Sequence, residues 1–133
     1  MKHMLFTHNG FTGTISASIG SLSKINRIDF TSNHLSGTIV PEIFYEKDIG
    51  SVTLRSNYFK ESVPTIGTGI ARHFKWINFQ ENILTGPVAS NLGKLPMIWR
   101  FSITFNHLMG TISQDLLSTD SSIEYLMLVD NEL

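Results

Sequence analysis

Trp76, Arg100 and Tyr125 stand 24 and 25 residues apart in a chain of 133 residues, and they are the residue types that carry recognition chemistry. A guanidinium over an aromatic face gains about 0.5–2 kcal/mol from the ring quadrupole, and Trp, Tyr and Arg dominate the energetics of protein contacts. Bond-making chemistry finds less to work with. The chain has no cysteine nucleophile, no G-x-S-x-G elbow, no H-E-x-x-H pair and no glycine-rich phosphate loop. Its five histidines, His3, His8, His34, His73 and His107, fall at no metal-ligand spacing and read as surface residues. Glu42, Glu46 and Asp48 share one segment and read as a solvated face, since calcium needs more convergent oxygens. The expectation is a binding protein with no catalytic residue, no metal and no cofactor.

The elements that must position these side chains are written in a repeat. Asn9, Asn33, Asn57, Asn82, Asn106 and Asn131 recur at intervals of 24, 24, 25, 24 and 25 residues. With each asparagine at position zero, position −3 holds Phe6, Phe30, Leu54, Phe79, Ile103 and Leu128, and −5 holds Met4, Ile28, Val52, Ile77, Phe101 and Leu126. Position −8 and positions +2 and +6 are apolar in the same way, from Ile25 and Phe74 to Leu35, Phe59, Ile39 and Val88. None of these columns contains a charge. A fixed period with column-wise apolar identity marks a solenoid, whose single turn cannot bury its own apolar face without its neighbours.

Within each copy the segment from −6 to −2 alternates outward and inward, the period of a strand. Copies in one register should stack these strands as a parallel sheet at about 4.8 Å spacing. The asparagine at zero is polar between two apolar columns, so its amide must be satisfied inside, its oxygen accepting and its nitrogen donating. It is expected to bridge backbone groups of its own turn and the next, making a structural ladder. Glycine at +4 (Gly13, Gly37, Gly86, Gly110) gives the backbone freedom to turn toward a second short strand. Segments such as Ala17 to Lys24 and Ser90 to Lys94 should return along the opposite side as helical or 3₁₀ turns.

The columns spell L-x-x-L-x-L-x-x-N-x-L-x-G-x-I, most clearly in Asn33 to Ile39 (NHLSGTI), Asn82 to Val88 (NILTGPV) and Asn106 to Ile112 (NHLMGTI). This resembles the leucine-rich-repeat family in its plant-type subclass. The resemblance implies a β-rich α/β repeat solenoid: a right-handed superhelix with a parallel sheet on the concave face and short helical turns on the convex side. Residues 1–133 read as a single domain of about five and a half repeats, a fragment without caps. Two departures stand out. Only Val63-Pro64 keeps the family's proline after +6, and the third copy has Glu61 at +4 and an irregular tail, Thr65 to Arg72, with one extra residue.

Leucine-rich repeats bind through the solvent-facing positions of the parallel sheet, so the resemblance points to −6, −4, −2 and −1. The partner-binding residues it implies are Arg27, Asp29, Arg55, Trp76, Asn78, Gln80, Trp99, Arg100, Phe105 and Tyr125. Arg100 is expected to lie between the rings of Trp76 and Tyr125 in adjacent strands. The implied function is non-catalytic recognition of a protein, peptide or glycan, as in a receptor-like protein or receptor-like kinase ectodomain. A kinase domain has no residue in this chain.

Composition narrows the partners further. A net charge of −1 with scattered Lys and Arg gives no electrostatic case for nucleic acid. No stretch reaches the roughly 18 apolar residues of a membrane span, and Met1 to Phe6 is too short for a signal segment. The subclass is mostly extracellular, which implies a cell-surface or extracellular location as part of a longer protein. The absence of cysteine and of N-x-Ser/Thr sites keeps a cytosolic binding module as the alternative. A third reading is an ice-binding solenoid. It rests on a partial threonine array at +5 (Thr14, Thr38, Ser62, Thr111) and +3 (Thr12, Ser36, Thr85), interrupted by Lys60, Pro87 and Met109.

Overall fold

The computed structural model describes residues 1–66 and 73–133. Eleven short strands follow the repeat: β1 (His3–Leu5), β2 (Thr12–Gly13), β3 (Arg27–Asp29), β4 (His34–Gly37), β5 (Ser51–Thr53), β6 (Tyr58–Glu61), β7 (Trp76–Asn78), β8 (Ile83–Gly86), β9 (Arg100–Ser102), β10 (His107–Leu108) and β11 (Tyr125–Met127). The odd-numbered strands form one six-stranded sheet in chain order, and the even-numbered strands form a second sheet of five. Every pairing is parallel. The chain is therefore the leucine-rich-repeat solenoid that its columns imply.

The assigned concave strands cover only −6 to −4, but inter-turn bonding runs on to zero. The −1 amide donates to the −2 carbonyl of the following turn, as in Ser32 to Arg55 and Ser56 to Gln80, each at 2.9 Å. The ladder geometry ends earlier because the chain bends at −1. His8, Ser32, Ser56, Glu81, Phe105 and Asp130 all have φ between 54° and 57°. A left-handed residue other than glycine costs on the order of 1 kcal/mol, so the stacked turns hold six such bends against their local preference. Glu61 also holds the left-handed φ (65°) that glycine holds in the other copies.

Between the sheets lies one continuous apolar core. Ile28, Val52, Ile77 and Phe101 from −5 pack with Phe30, Leu54, Phe79 and Ile103 from −3, all buried. Phe44 enters from the convex side, 5.4 Å from Phe74 and 6.3 Å from Phe79 between ring centres. The convex side is built from 3₁₀ turns at Ala17–Ser21, Pro41–Phe44, Ser90–Lys94 and Gln114–Leu117, as the return segments predict. The irregularity expected over 65–72 lies, beyond Thr65 and Ile66, outside the described residues.

The asparagine ladder runs opposite to the expected direction. Asn82 Nδ2 donates to Phe79 O (3.1 Å) and Gln80 O (3.2 Å) of its own turn and to Leu54 O (3.0 Å) of the preceding turn. Its Oδ1 accepts from Phe59 N, also of the preceding turn, at 3.0 Å. Asn33, Asn57, Asn106 and Asn131 repeat the pattern on Phe6 and Phe11, Phe30 and Leu35, Phe79 and Leu84, and Ile103 and Leu108. Among the described residues Asn9 donates its side-chain amide to Thr7 O alone, at 3.0 Å. At −3, −1 and zero the backbone amides reach forward, as in Phe30 to Thr53, Ser32 to Arg55 and Asn33 to Ser56, while the asparagine side chains reach back, and each interface is stitched from both sides.

The second sheet corrects the threonine reading. Its strands occupy +1 to +4, so the +5 column falls beyond them. Its register also slips by two residues per turn, pairing Thr12 with His34, Ser36 with Tyr58, Lys60 with Ile83 and Thr85 with His107. The +3 threonines therefore face +1 residues of the next turn and make no straight rank. A flat in-register array of the ice-binding kind is not what this side presents.

Candidate functional site

The concave register places His3, Arg27, Ser51, Trp76, Arg100 and Tyr125 in one row across six strands. That is the −6 column read from the repeat. Within it, Arg100 Cζ lies 5.4 Å from the centre of the Trp76 ring, a cation–π contact. Tyr125 does not complete a sandwich. It turns its edge to Trp99 at −7, with ring centres 5.7 Å apart and planes at 79°. An edge-to-face pair satisfies the ring quadrupoles of two aromatics without the guanidinium, so the expected stack divides into two neighbouring pairs.

Arg100 differs from the other concave arginines in its charge balance. Arg27 Nη2 sits 2.9 Å from Asp29 Oδ2, and Arg55 Nη2 sits 2.8 Å from Glu81 Oε1. Among the described residues Arg100 has no acidic partner. Its Nε and the Trp76 Nε1 are buried donors without an acceptor among those residues. A buried donor left unpaired costs about 1–3 kcal/mol.

Two of the expected contact residues are closed off. Asp29 and Asn78 are only 7% and 9% exposed, as are Thr53 and Ser102 in the same column at 5% and 3%. Both lie beside longer side chains of their own turn, Asp29 next to Arg27 and Asn78 between Trp76 and Gln80. Their polar atoms are used locally: Asp29 Oδ1 accepts from Thr31 N (3.2 Å) and Thr31 Oγ1 (2.7 Å), and Asn78 Oδ1 accepts from Gln80 N (3.0 Å). Asp29 and Asn78 therefore fasten the bend at the strand end.

Glu81, at −1, emerges as the hub that the column reading passes over. It accepts from Arg55, from the Ser56 hydroxyl and from Gln80 Nε2 at 3.2 Å. Arg55 and Gln80 are brought together here, tied to one carboxylate. Phe105, in the same column one turn along, is 51% exposed.

These carboxylates set an acid limit on the fold. At Asp29 burial pushes the pKa up most strongly, but hydrogen bonds from the Thr31 hydroxyl, Arg27 and the Thr31 amide together outweigh it and leave it lowered. At Glu81 the Ser56 hydroxyl, then Arg55, lower it. A carboxylate held below its unfolded value stabilises the fold above that value, and the gain disappears as pH falls through the lowered one. Melting temperature should therefore drop as pH falls below the ordinary carboxylate range, and Asp29→Asn with Glu81→Gln should flatten that drop. Identical acid profiles for the two proteins would refute the assignment.

Beside the row, a groove of about 840 Å³ runs along the edge where each turn enters its concave strand, and both Trp76 and Trp99 line it. The site residues thus fall into groups: Arg27 with Asp29, Arg55 with Gln80 through Glu81, and the joined pairs Trp76–Arg100 and Trp99–Tyr125. No helix among the described residues is long and apolar enough to cross a membrane.

No family model matches the chain. It is 25% identical over 114 residues to receptor-like protein 39 of Arabidopsis thaliana, covering 84% of this chain and 13% of that protein. Among solved structures it is similar to the leucine-rich-repeat ectodomain of the Arabidopsis receptor kinase HAESA in complex with an N-terminally extended IDA peptide hormone, with a TM-score of 0.90 at 25% identity over 98% of this chain and 21% of that one. It is also similar to the plant peptide hormone receptor RGFR1 in complex with RGF2, with a TM-score of 0.86 at 28% identity over 94% of this chain and 20% of the receptor.

Proposed function

We infer, from a chain that is a plant-type leucine-rich-repeat protein similar to receptor ectodomains, that its concave face recognises a peptide or an extended segment of a protein. The contact centres on Trp76 and Arg100, with Trp99, Phe105 and Tyr125 around them. The observation that carries this is that Arg100, unlike Arg27 and Arg55, has no acidic partner among the described residues and is stacked on a tryptophan. An anionic or acceptor group of the ligand meets Arg100, and the exposed faces of Trp99, Tyr125 and Phe105 cover its apolar side chains. Arg27 and Arg55 are already paired, so they orient the face more than they bind. The role is binding without catalysis, in an extracellular or cell-surface setting as part of a longer protein; the relatives lend the cytoplasmic alternative no support.

A screen of this chain against an array of synthetic peptides should return binders, and the variants locate the contact. Trp76→Ala and Arg100→Ala should each weaken the best binder by about 2 kcal/mol, close to thirtyfold, while Arg27→Ala changes it little. Unchanged affinity in both central variants would overturn the reading.

A further inference from the structure

The lateral groove gathers charge that the chain scatters. Lys2, Lys24 and Lys75 come from the first turn, the approach to the second, and the fourth, and the fold sets them along one wall. With strands about 4.8 Å apart, Lys2 and Lys75 lie about 14 Å apart along the array. His3 and His73 add nitrogen donors, and Asp48 is the one carboxylate in the lining. None of the three lysines forms an ion pair among the described residues. Trp99, 38% exposed, closes one end with an aromatic face.

The main chain beneath this groove is saturated. Asn26 O accepts from Gly50 N (2.8 Å) and Ser51 N (3.2 Å), Gly50 O from Lys75 N (2.8 Å) and Trp76 N (3.3 Å), and Lys75 O from Trp99 N (3.1 Å) and Arg100 N (3.2 Å). A ligand laid here finds no strand edge to pair with. The ligand must be held by side chains alone. It must carry spaced negative charges for the lysines, hydroxyls for the amide, hydroxyl and imidazole groups, and a flat apolar face for the indole.

We propose that this groove binds an acidic oligosaccharide, a linear chain of uronic acid residues, with carboxylates on Lys24 and Lys75 and a ring face on Trp99. Charge-assisted hydrogen bonds to exposed lysines are individually weak and screened by salt, so the binding is additive along the chain and salt-sensitive. Its lysines, at −9 and −7, are separate from Arg100, while Trp99 borders both this groove and the peptide contact.

The test is calorimetric titration of the chain with a short oligomer of galacturonic acid, its methyl ester, and a polyglutamate peptide. The free acid should bind, and esterification should abolish binding by removing the charge at constant backbone. Lys24→Gln with Lys75→Gln should weaken it about tenfold, and Trp99→Ala should weaken it at unchanged salt dependence. Arg100→Ala, which breaks the peptide reading, should leave it intact. Equal binding of polyglutamate, or unchanged affinity in the double lysine variant with an unchanged melting temperature, would overturn the proposal.

Discussion

Asn82→Ala is expected to destabilise the chain by about 3–5 kcal/mol, the sum of a stranded buried amide and the loss of several buried acceptor contacts. The amide is that of Phe59, whose residue is fully buried and whose only described acceptor is Asn82 Oδ1. The carbonyls of Leu54, Phe79 and Gln80 lose their side-chain donor at the same time. A whole domain holds about 5–15 kcal/mol, so one rung in mid-array carries a large share of it. Because turns are coupled only to their neighbours, the loss at this interface should also uncouple the two halves. Urea denaturation reads both effects, as a lower midpoint and a broadened transition. Asn9→Ala is the matched control: that asparagine makes one exposed bond, to Thr7 O, and its loss should cost under about 1 kcal/mol. Equal losses at the two positions would refute the ladder as drawn.

Gly93→Ala should be nearly as damaging for an unrelated reason. A Cβ there would fall 2.1 Å from Asp115 O, 2.7 Å from the carbonyl carbon of Asp115 and 3.0 Å from Leu116 Cα. All three are main-chain atoms and cannot rotate away. The 3₁₀ turn Ser90–Lys94 rests directly on Gln114–Leu117 through this gap, with Lys94 Nζ 3.0 Å from Asp115 Oδ2 beside it. Opening the gap forces the convex turns apart while the concave register holds. Overpacking of this kind costs about 3 kcal/mol, a fall of about 10 °C in melting temperature for a chain of this size. Gly10→Ala meets nothing within 4 Å and should melt as the wild type does. A Gly93→Ala protein with an unchanged melting temperature would show that the convex stack yields without cost.

The apolar columns were legible because burial in a solenoid is decided one position at a time and repeated. Ile28, Val52, Ile77 and Phe101 could be assigned inward from the period of two, and the row of Trp76, Arg100 and Tyr125 followed from register. Side-chain conformation was not legible in the same way. Whether Arg100 stacks on one ring or two depends on where Tyr125 turns, and Trp99 at the adjoining position draws it aside. The −4 residues have strand parity that points them to the concave side, yet parity says nothing about cover. Asp29 and Asn78 are enclosed, and their own polar atoms bend back to Thr31 and Gln80. Nor does any residue type announce the left-handed bend at −1, where His8, Ser32, Glu81 and Phe105 share a backbone and no chemistry. The groove of lysines escapes a linear reading altogether, since Lys24 and Lys75 are neighbours only once the turns between them have coiled.

The backward reach of the asparagines has a consequence for how the chain is made. Leu35 N finds its side-chain acceptor 22 residues later, at Asn57, and Phe59 N finds its own 23 residues later, at Asn82. During synthesis at about 5–20 residues per second, each turn waits about 1–4 s for the residue that closes it. The nascent solenoid therefore carries one unfinished turn at its emerging end, and it matures one repeat behind the chain that has left the ribosome. Ribosome-stalled chains in which Asn82 has just cleared the exit tunnel, and chains in which it is still inside, should differ sharply in protease resistance around Phe59.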